Sequence, residues 1–139
     1  MDDQALCQLP AHRLSALYKL GELSPVEATR AVLSRIERLN PQLNALCFVA
    51  AEDALASAKV SEQRWRDGNP RSPLEGVPVG IKDLILTRGW PTLRGSRAID
   101  PHQAWDVDAP VTARLREAGL VLLGKTTTPE FGCKGETNS

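Results

Sequence analysis

Two short apolar runs, at 77–81 and 120–124, constrain the fold of this 139-residue chain more than any other feature. Leu120-Val121-Leu122-Leu123-Gly124 has no polar side chain, the mark of a strand buried on both faces. In the earlier run Val77, Val79 and Ile81 are β-branched at alternate positions, so they share one strand face. Gly80 faces the other way and permits close backbone approach. Pro73, Gly76 and Pro78 punctuate the turn ahead of it. A helix pattern separates the runs: Asp108 as cap, Pro110 inside the first turn, Val111, Leu115 and Ala118 on the apolar side, Gly119 as the stop. Strand at 77–82, helix at 110–118 and strand at 120–124 form a βαβ-like unit, which predicts parallel strands with a right-handed crossover.

Open α/β sheets place their sites at the carboxyl ends of such strands, and a lysine stands at each, Lys82 and Lys125. A lysine carried inward must find a counter-charge or lose its proton, because desolvation disfavours the ammonium. A neutral lysine amine is a general base. The local pattern also allows a Lys82 that reaches water along its stem or pairs with Asp83. For Lys125 the simpler reading is a structural salt bridge. The stretch 87–97 carries Gly89, Pro91, Gly95 and the hydroxyls of Thr87, Thr92 and Ser96, which makes it a loop. It is either a place for substrate contacts or a surface connection anchored by Trp90.

Upstream the pattern is helical. Leu14, Leu17 and Tyr18 recur at helical spacing over 12–20, and Gly21 stops them. Ser24-Pro25-Val26-Glu27 reads as a capping box with proline at the first helical position. Val26, Thr29, Leu33, Ile36 and Leu39 then share a side, and Asn40-Pro41 is expected to end the helix. Residues 43–49 suit a short strand, and 50–66 an alanine-rich helix that covers the sheet with a stripe of Ala51, Leu55 and Ala58. The turn-forming composition of 67–73 divides a mainly helical part, 1–70, from an α/β part, 71–139.

Composition removes several function classes. With 17 basic and 17 acidic residues the net charge is zero, so there is no electrostatic case for nucleic acid or an anionic membrane as direct partner. No run has the apolar length of a membrane span. The acidic start, Met1-Asp2-Asp3-Gln4, is not a secretory signal, so a cytoplasmic location is expected. Cys7, Cys47 and Cys133 are odd in number and suit free thiols in a reducing compartment. His12 and His102, without a Cys-x-x-Cys, do not suggest a metal site, and no cofactor is expected. Gly124-Lys125-Thr126 resembles the end of a P-loop, but the residues before it are strand rather than glycine-rich cradle. Cys133 with Lys82 and a glutamate would make a nitrilase-like trio, against the commoner reading of a packing cysteine. No Gly-x-Ser-x-Gly elbow accompanies the two histidines, so a Ser-His-Asp set is not available.

The blocks say more together. Leu74-x-Gly76-Val77-Pro78-Val79-x-Ile81-Lys82-Asp83 is followed by Gly95-Ser96, by Asp108-Ala109-Pro110-Val111-x-x-x-Leu115-Arg116-x-Ala118-Gly119, and by Leu123-Gly124-Lys125-Thr126-x-x-Pro129-Glu130-Phe131. This series closely resembles the N-terminal part of the amidase signature family, from about residue 11 to 139 and most densely from 74 to 138. The resemblance implies a serine–serine–lysine mechanism with Lys82 as the lysine. Its neutral amine takes a proton relayed through one serine, a second serine attacks the amide carbonyl, backbone N–H groups hold the oxyanion, and water hydrolyses the acyl-enzyme.

Family members are several times longer, and their glycine- and serine-rich signature lies beyond the last residues of this chain. Gly135-Glu136-Thr137-Asn138-Ser139 resembles the approach to it, and neither Ser96 nor Ser139 sits in its Gly-Ser-Ser-Gly-Gly context. Lys82 is the one catalytic residue the resemblance carries over. The implied fold class is α/β: N-terminal helices followed by the start of a mixed, largely parallel sheet with covering helices, an incomplete amidase signature fold. Residues 1–139 are expected to be the N-terminal part of a single amidase domain, a fragment that is inactive alone and marginal as a fold. The implied partner is a small-molecule amide substrate of the full-length enzyme, for which a homodimer is one arrangement. Two alternatives stay open. One is the first, amidase-like component of a glutamyl-tRNA(Gln) or aspartyl-tRNA(Asn) amidotransferase, with partner subunits and glutamine as ammonia donor. The other is a non-catalytic binding or assembly module.

Overall fold

The computed structural model describes residues 2–137, and Asn138 and Ser139 of the signature approach lie outside the described residues. Helix α1 (Asp3–Leu6) is one turn, capped by the Asp2 carboxylate, which accepts the Ala5 N–H at 2.7 Å. Helix α2 (Ala11–Leu20) buries Leu14, Leu17 and Tyr18 and stops at Gly21, as the spacing predicts. Helix α3 (Pro25–Leu43) opens with the predicted capping box: Ser24 Oγ accepts the Glu27 N–H at 3.1 Å, and Glu27 accepts the Ser24 N–H at 2.8 Å. It does not end at Asn40-Pro41. Proline removes one hydrogen bond, to the Glu37 carbonyl, and Glu37 is exposed to water. The Asn40 side chain then closes the turn by bonding both backbone groups of Leu46, at 2.9 and 2.8 Å.

Strands β1 (Leu46–Val49), β2 (Pro78–Lys82) and β3 (Val121–Thr126) form one mixed sheet in the order β1-β3-β2. β2 and β3 run parallel as the βαβ pattern predicts, and β1 adds to β3 antiparallel. The central strand is buried from Val121 through Lys125. Its register against β2 slips by one residue, from Val79 opposite Leu122 to Gly80 opposite Gly124. A Cβ at Gly124, where φ is 151°, would overlap the carbonyl oxygen of Phe48 on β1, so the slip needs glycine there.

Helix α4 (Ala51–Arg66) covers the sheet through Ala54, Ala58 and Ser61. The expected stripe of Ala51, Leu55 and Ala58 is rotated from this one, and Ala51 is exposed. Small side chains win because α4 is wedged between α3 and β3, where Ala54 and Ala58 pack with Val26, Val121 and Leu123. Helix α5 (Pro110–Glu117) has Pro110 in its first turn, but its N-cap is Ala109. Asp108 instead accepts the Arg88 N–H at 2.7 Å and faces Arg116 Nε at 3.2 Å, so a tertiary ion pair displaces the cap. Val111 is largely exposed, and the buried residue of α5 is Thr112, whose hydroxyl donates to the Leu86 carbonyl at 2.9 Å.

Gly124→Ala is expected to destabilise the chain by about 1–3 kcal/mol, since backbone cannot retreat as a flexible side chain can. Ser24→Ala is expected to cost about 1 kcal/mol through the lost cap. Urea midpoints of the two variants against the parent check both.

Candidate active site

The carboxyl ends of β2 and β3 gather the charged and hydroxyl groups that the sequence singles out. Lys82 ends β2 opposite Thr126, with buried Ile81 before it and buried Asp83 after it. Strand alternation therefore puts Lys82 on the open side, and within these residues its side chain is exposed. The lysine taken into the interior is Lys125, at 0% exposure. Leu122 and Lys125 are three residues apart, yet Leu122 packs on Ile81 and Trp90 while Lys125 bonds to the chain at 85–92. The register slip at Gly124 supplies the odd residue that puts both on one side.

Lys125 is held as a buried ammonium should be. Its Nζ donates to the Ile85 carbonyl at 2.5 Å and Thr92 Oγ1 at 2.8 Å, with Thr87 Oγ1 at 3.4 Å. Asp83 Oδ1 lies 3.9 Å away, so the structural salt bridge considered for Lys125 is present, and Asp83 pairs with it rather than with Lys82. The Asp83 carboxylate also accepts the Leu93 N–H at 3.2 Å, and the N–H groups of Gly95 and Arg94 face it. Burial pushes the Asp83 carboxyl above its ordinary 3.8, and Lys125 with the three N–H groups offsets part of this. Burial likewise depresses Lys125 below 10.5, against the opposing pull of Asp83.

The loop after β2 returns to the segment after β3. Thr87 and Trp90 form a one-pair bridge, and Trp90 is a buried anchor whose Nε1 donates to Asp53 at 3.1 Å. The Phe131 N–H donates to the Arg94 carbonyl at 2.8 Å, and both residues have positive φ, 50° and 56°. Ser96 donates to Glu130 Oε1 at 2.6 Å. Cys133 is exposed beside the 3₁₀ turn Glu130–Gly132. Cys47 Sγ donates to the Lys125 carbonyl at 3.5 Å, and burial together with Asp83 pushes its thiol up, away from the reactive thiolate. Among the described residues no group of three His, Cys, Asp or Glu side chains could hold a metal, and no helix is long and apolar enough to cross a membrane.

Sequence reasoning missed the partners of Lys125. The hydroxyls of Thr87 and Thr92 stand out in the loop composition, but nothing local ties them to a lysine more than 30 positions away. It also missed Glu75, 1% exposed, which accepts from the Arg71 N–H and from Ser61 Oγ at 3.3 Å and faces Arg64 Nε at 3.6 Å.

A mixed sheet with covering helices and polar groups gathered at the carboxyl ends of its parallel strands defines an α/β protein with a strand-end site. The chain belongs to the Amidase family, whose profile matches residues 27–139. Its relatives include the amidase-like component of the glutamyl-tRNA(Gln) amidotransferase of Thermobifida fusca. That protein is 42% identical over 134 residues, which cover 96% of this chain and 27% of the relative. The corresponding Myxococcus xanthus protein is 41% identical over the same shares. Among solved structures the chain is similar to the peptide amidase of Stenotrophomonas maltophilia, with a TM-score of 0.82 and 37% identity over 89% of this chain and 26% of that one. A bacterial aryl acylamidase matches with a TM-score of 0.82 and 32% identity over 91% and 26% of the two chains. The chain thus spans about a quarter of the length of these relatives.

Lys125→Met should destabilise the chain by about 3–5 kcal/mol, because it leaves Asp83 buried without its counter-ion. Lys125→Met with Asp83→Asn should recover part of that loss. Between the depressed value of Lys125 and 10.5 the unfolded chain binds more protons, so this group makes stability rise with pH through that window. Urea midpoints taken up to pH 10.5 should show the rise in the parent and lose it in the double variant.

Proposed function

We propose that this chain carries the lysine of an amidase signature amidohydrolase, with Lys82 as the residue that accepts the serine proton during hydrolysis of a carboxamide to a carboxylate and ammonia or an amine. The position of Lys82 carries the reading. It is the last residue of β2, at the carboxyl edge of a parallel pair, inside the span matched by the family. Its amine is unpaired among the described residues, unlike that of Lys125, so it is free to meet a hydroxyl. Both serines of the mechanism are assigned outside these 139 residues, and Ser96 is committed to Glu130. In this reading further chain closes over Lys82 and supplies the attacking hydroxyl, and the 139 residues alone turn over no amide.

A second reading is favoured by the relatives that are more than 40% identical and named as components of a glutamyl-tRNA(Gln) amidotransferase. There the same lysine would act on glutamine, in a protein working with partner subunits. The two readings share the site and differ in the amide.

A chimera tests the proposal: the segment of Stenotrophomonas maltophilia peptide amidase that this chain matches is replaced by the chain itself. Peptide-amide hydrolysis should appear, and Lys82→Ala should lower it by about 10² to 10⁴-fold with the melting temperature retained. A folded chimera whose activity is indifferent to Lys82→Ala refutes the assignment. So does amide turnover by the isolated chain, since it places the whole mechanism within these residues. Faster ammonia release from free glutamine than from simple amides selects the second reading.

A further inference from the structure

We infer that Asp83 and Lys125 are positioning residues for the amine of Lys82, fixing the peptide on which it stands and neutralising each other beneath it. The inference rests on the reading of Lys82 as the reactive amine. The pair brackets it: Asp83 follows Lys82, and Lys125 precedes Thr126, the register partner of Lys82. The Asp83 N–H donates to the Thr126 carbonyl at 3.0 Å, so the ladder continues one step past Lys82. Its backbone is therefore clamped on both sides.

The ammonium of Lys125 has three protons, and fixed acceptors surround it: the Ile85 carbonyl, Thr92 and Thr87 hydroxyls, and the Asp83 carboxylate. With no exposed surface it cannot touch a substrate, so its role is geometric. Asp83 is held as firmly. Arg94 and Gly95 both have positive φ, 56° and 64°, which turns consecutive N–H groups toward one side and cups the carboxylate. The same loop grips the segment after β3 through Phe131 to Arg94 and Ser96 to Glu130. A continuous set of contacts thus runs from the buried pair to both loops that flank Lys82.

Competitive acetylation with trace acetic anhydride at pH 8, read by mass spectrometry, tests this on the chain itself, with exposed Lys19 as the internal reference. Lys125→Met leaves the Asp83 charge uncompensated and should slow labelling of Lys82 about threefold. Adding Asp83→Asn should return the rate to that of the parent, a reversal that loosened packing would not produce. Amide exchange at Gly95 and Ser96 should be at least about tenfold faster in the double variant. Unchanged Lys82 labelling in Lys125→Met, or a double variant as slow as the single one, overturns the inference. Should the single variant not fold, the double variant decides alone, because it buries no lone ion: parent-like exchange at Gly95 and Ser96 there overturns it. Labelling and exchange report the surroundings of Lys82 whether or not it is an amidase base, so this test and the chimera can fail separately.

Discussion

Everything else in the fold accommodates a central strand that is buried over nearly its whole length and carries a lysine near its end. β3 has a neighbour on each edge, which satisfies its backbone. Its side chains are apolar until Lys125, whose ammonium would cost several kcal/mol if buried bare. The chain after β2 therefore comes back to it. Ile85 offers a carbonyl, Thr87 and Thr92 offer hydroxyls, and Asp83 offers a charge. The loop that a sequence shows only as a run of glycine, proline and threonine is shaped by three protons on one nitrogen.

The other end of β3 is sealed in a similar way with the opposite charge. Glu75 lies buried beside Gly119, where φ is 82° and a Cβ would come within 2.6 Å of the carboxylate carbon. Ser61 from α4, Arg64 and the Arg71 N–H satisfy it, while Gly76 N–H bonds the Gly119 carbonyl at 2.9 Å. This explains why α4 presents Ala54, Ala58 and Ser61 rather than larger residues. The helix must approach closely enough for a serine hydroxyl to reach across, and alanine permits that approach. The amino end of the strand is thus fixed by an anion and the carboxyl end by a cation, with the apolar clusters between them.

For function, the division between the two lysines matters most. They stand one step apart across the β2–β3 ladder, yet one is enclosed by fixed acceptors and the other is exposed. A residue whose protons are all engaged is suited to hold geometry, and one with a free amine is suited to exchange a proton. The relatives that this chain matches are about four times its length, so what surrounds Lys82 in them is built in large part by sequence this chain does not contain.

The sequence by itself determined the helices with strong caps, the parallel pairing of β2 and β3, and the family. Those signals are local or sit in ordered blocks: the Ser24 capping box, the all-apolar run before Lys125, the Ile81-Lys82-Asp83 step. Tertiary structure alone decided which lysine goes inside, where α3 ends, which face α4 buries and what Asp108 bonds. A side chain's direction after a register slip depends on the neighbouring strand, here on the carbonyl of Phe48 against Gly124. The partners of a buried charge come from wherever the chain returns, and no spacing rule along the sequence records that distance.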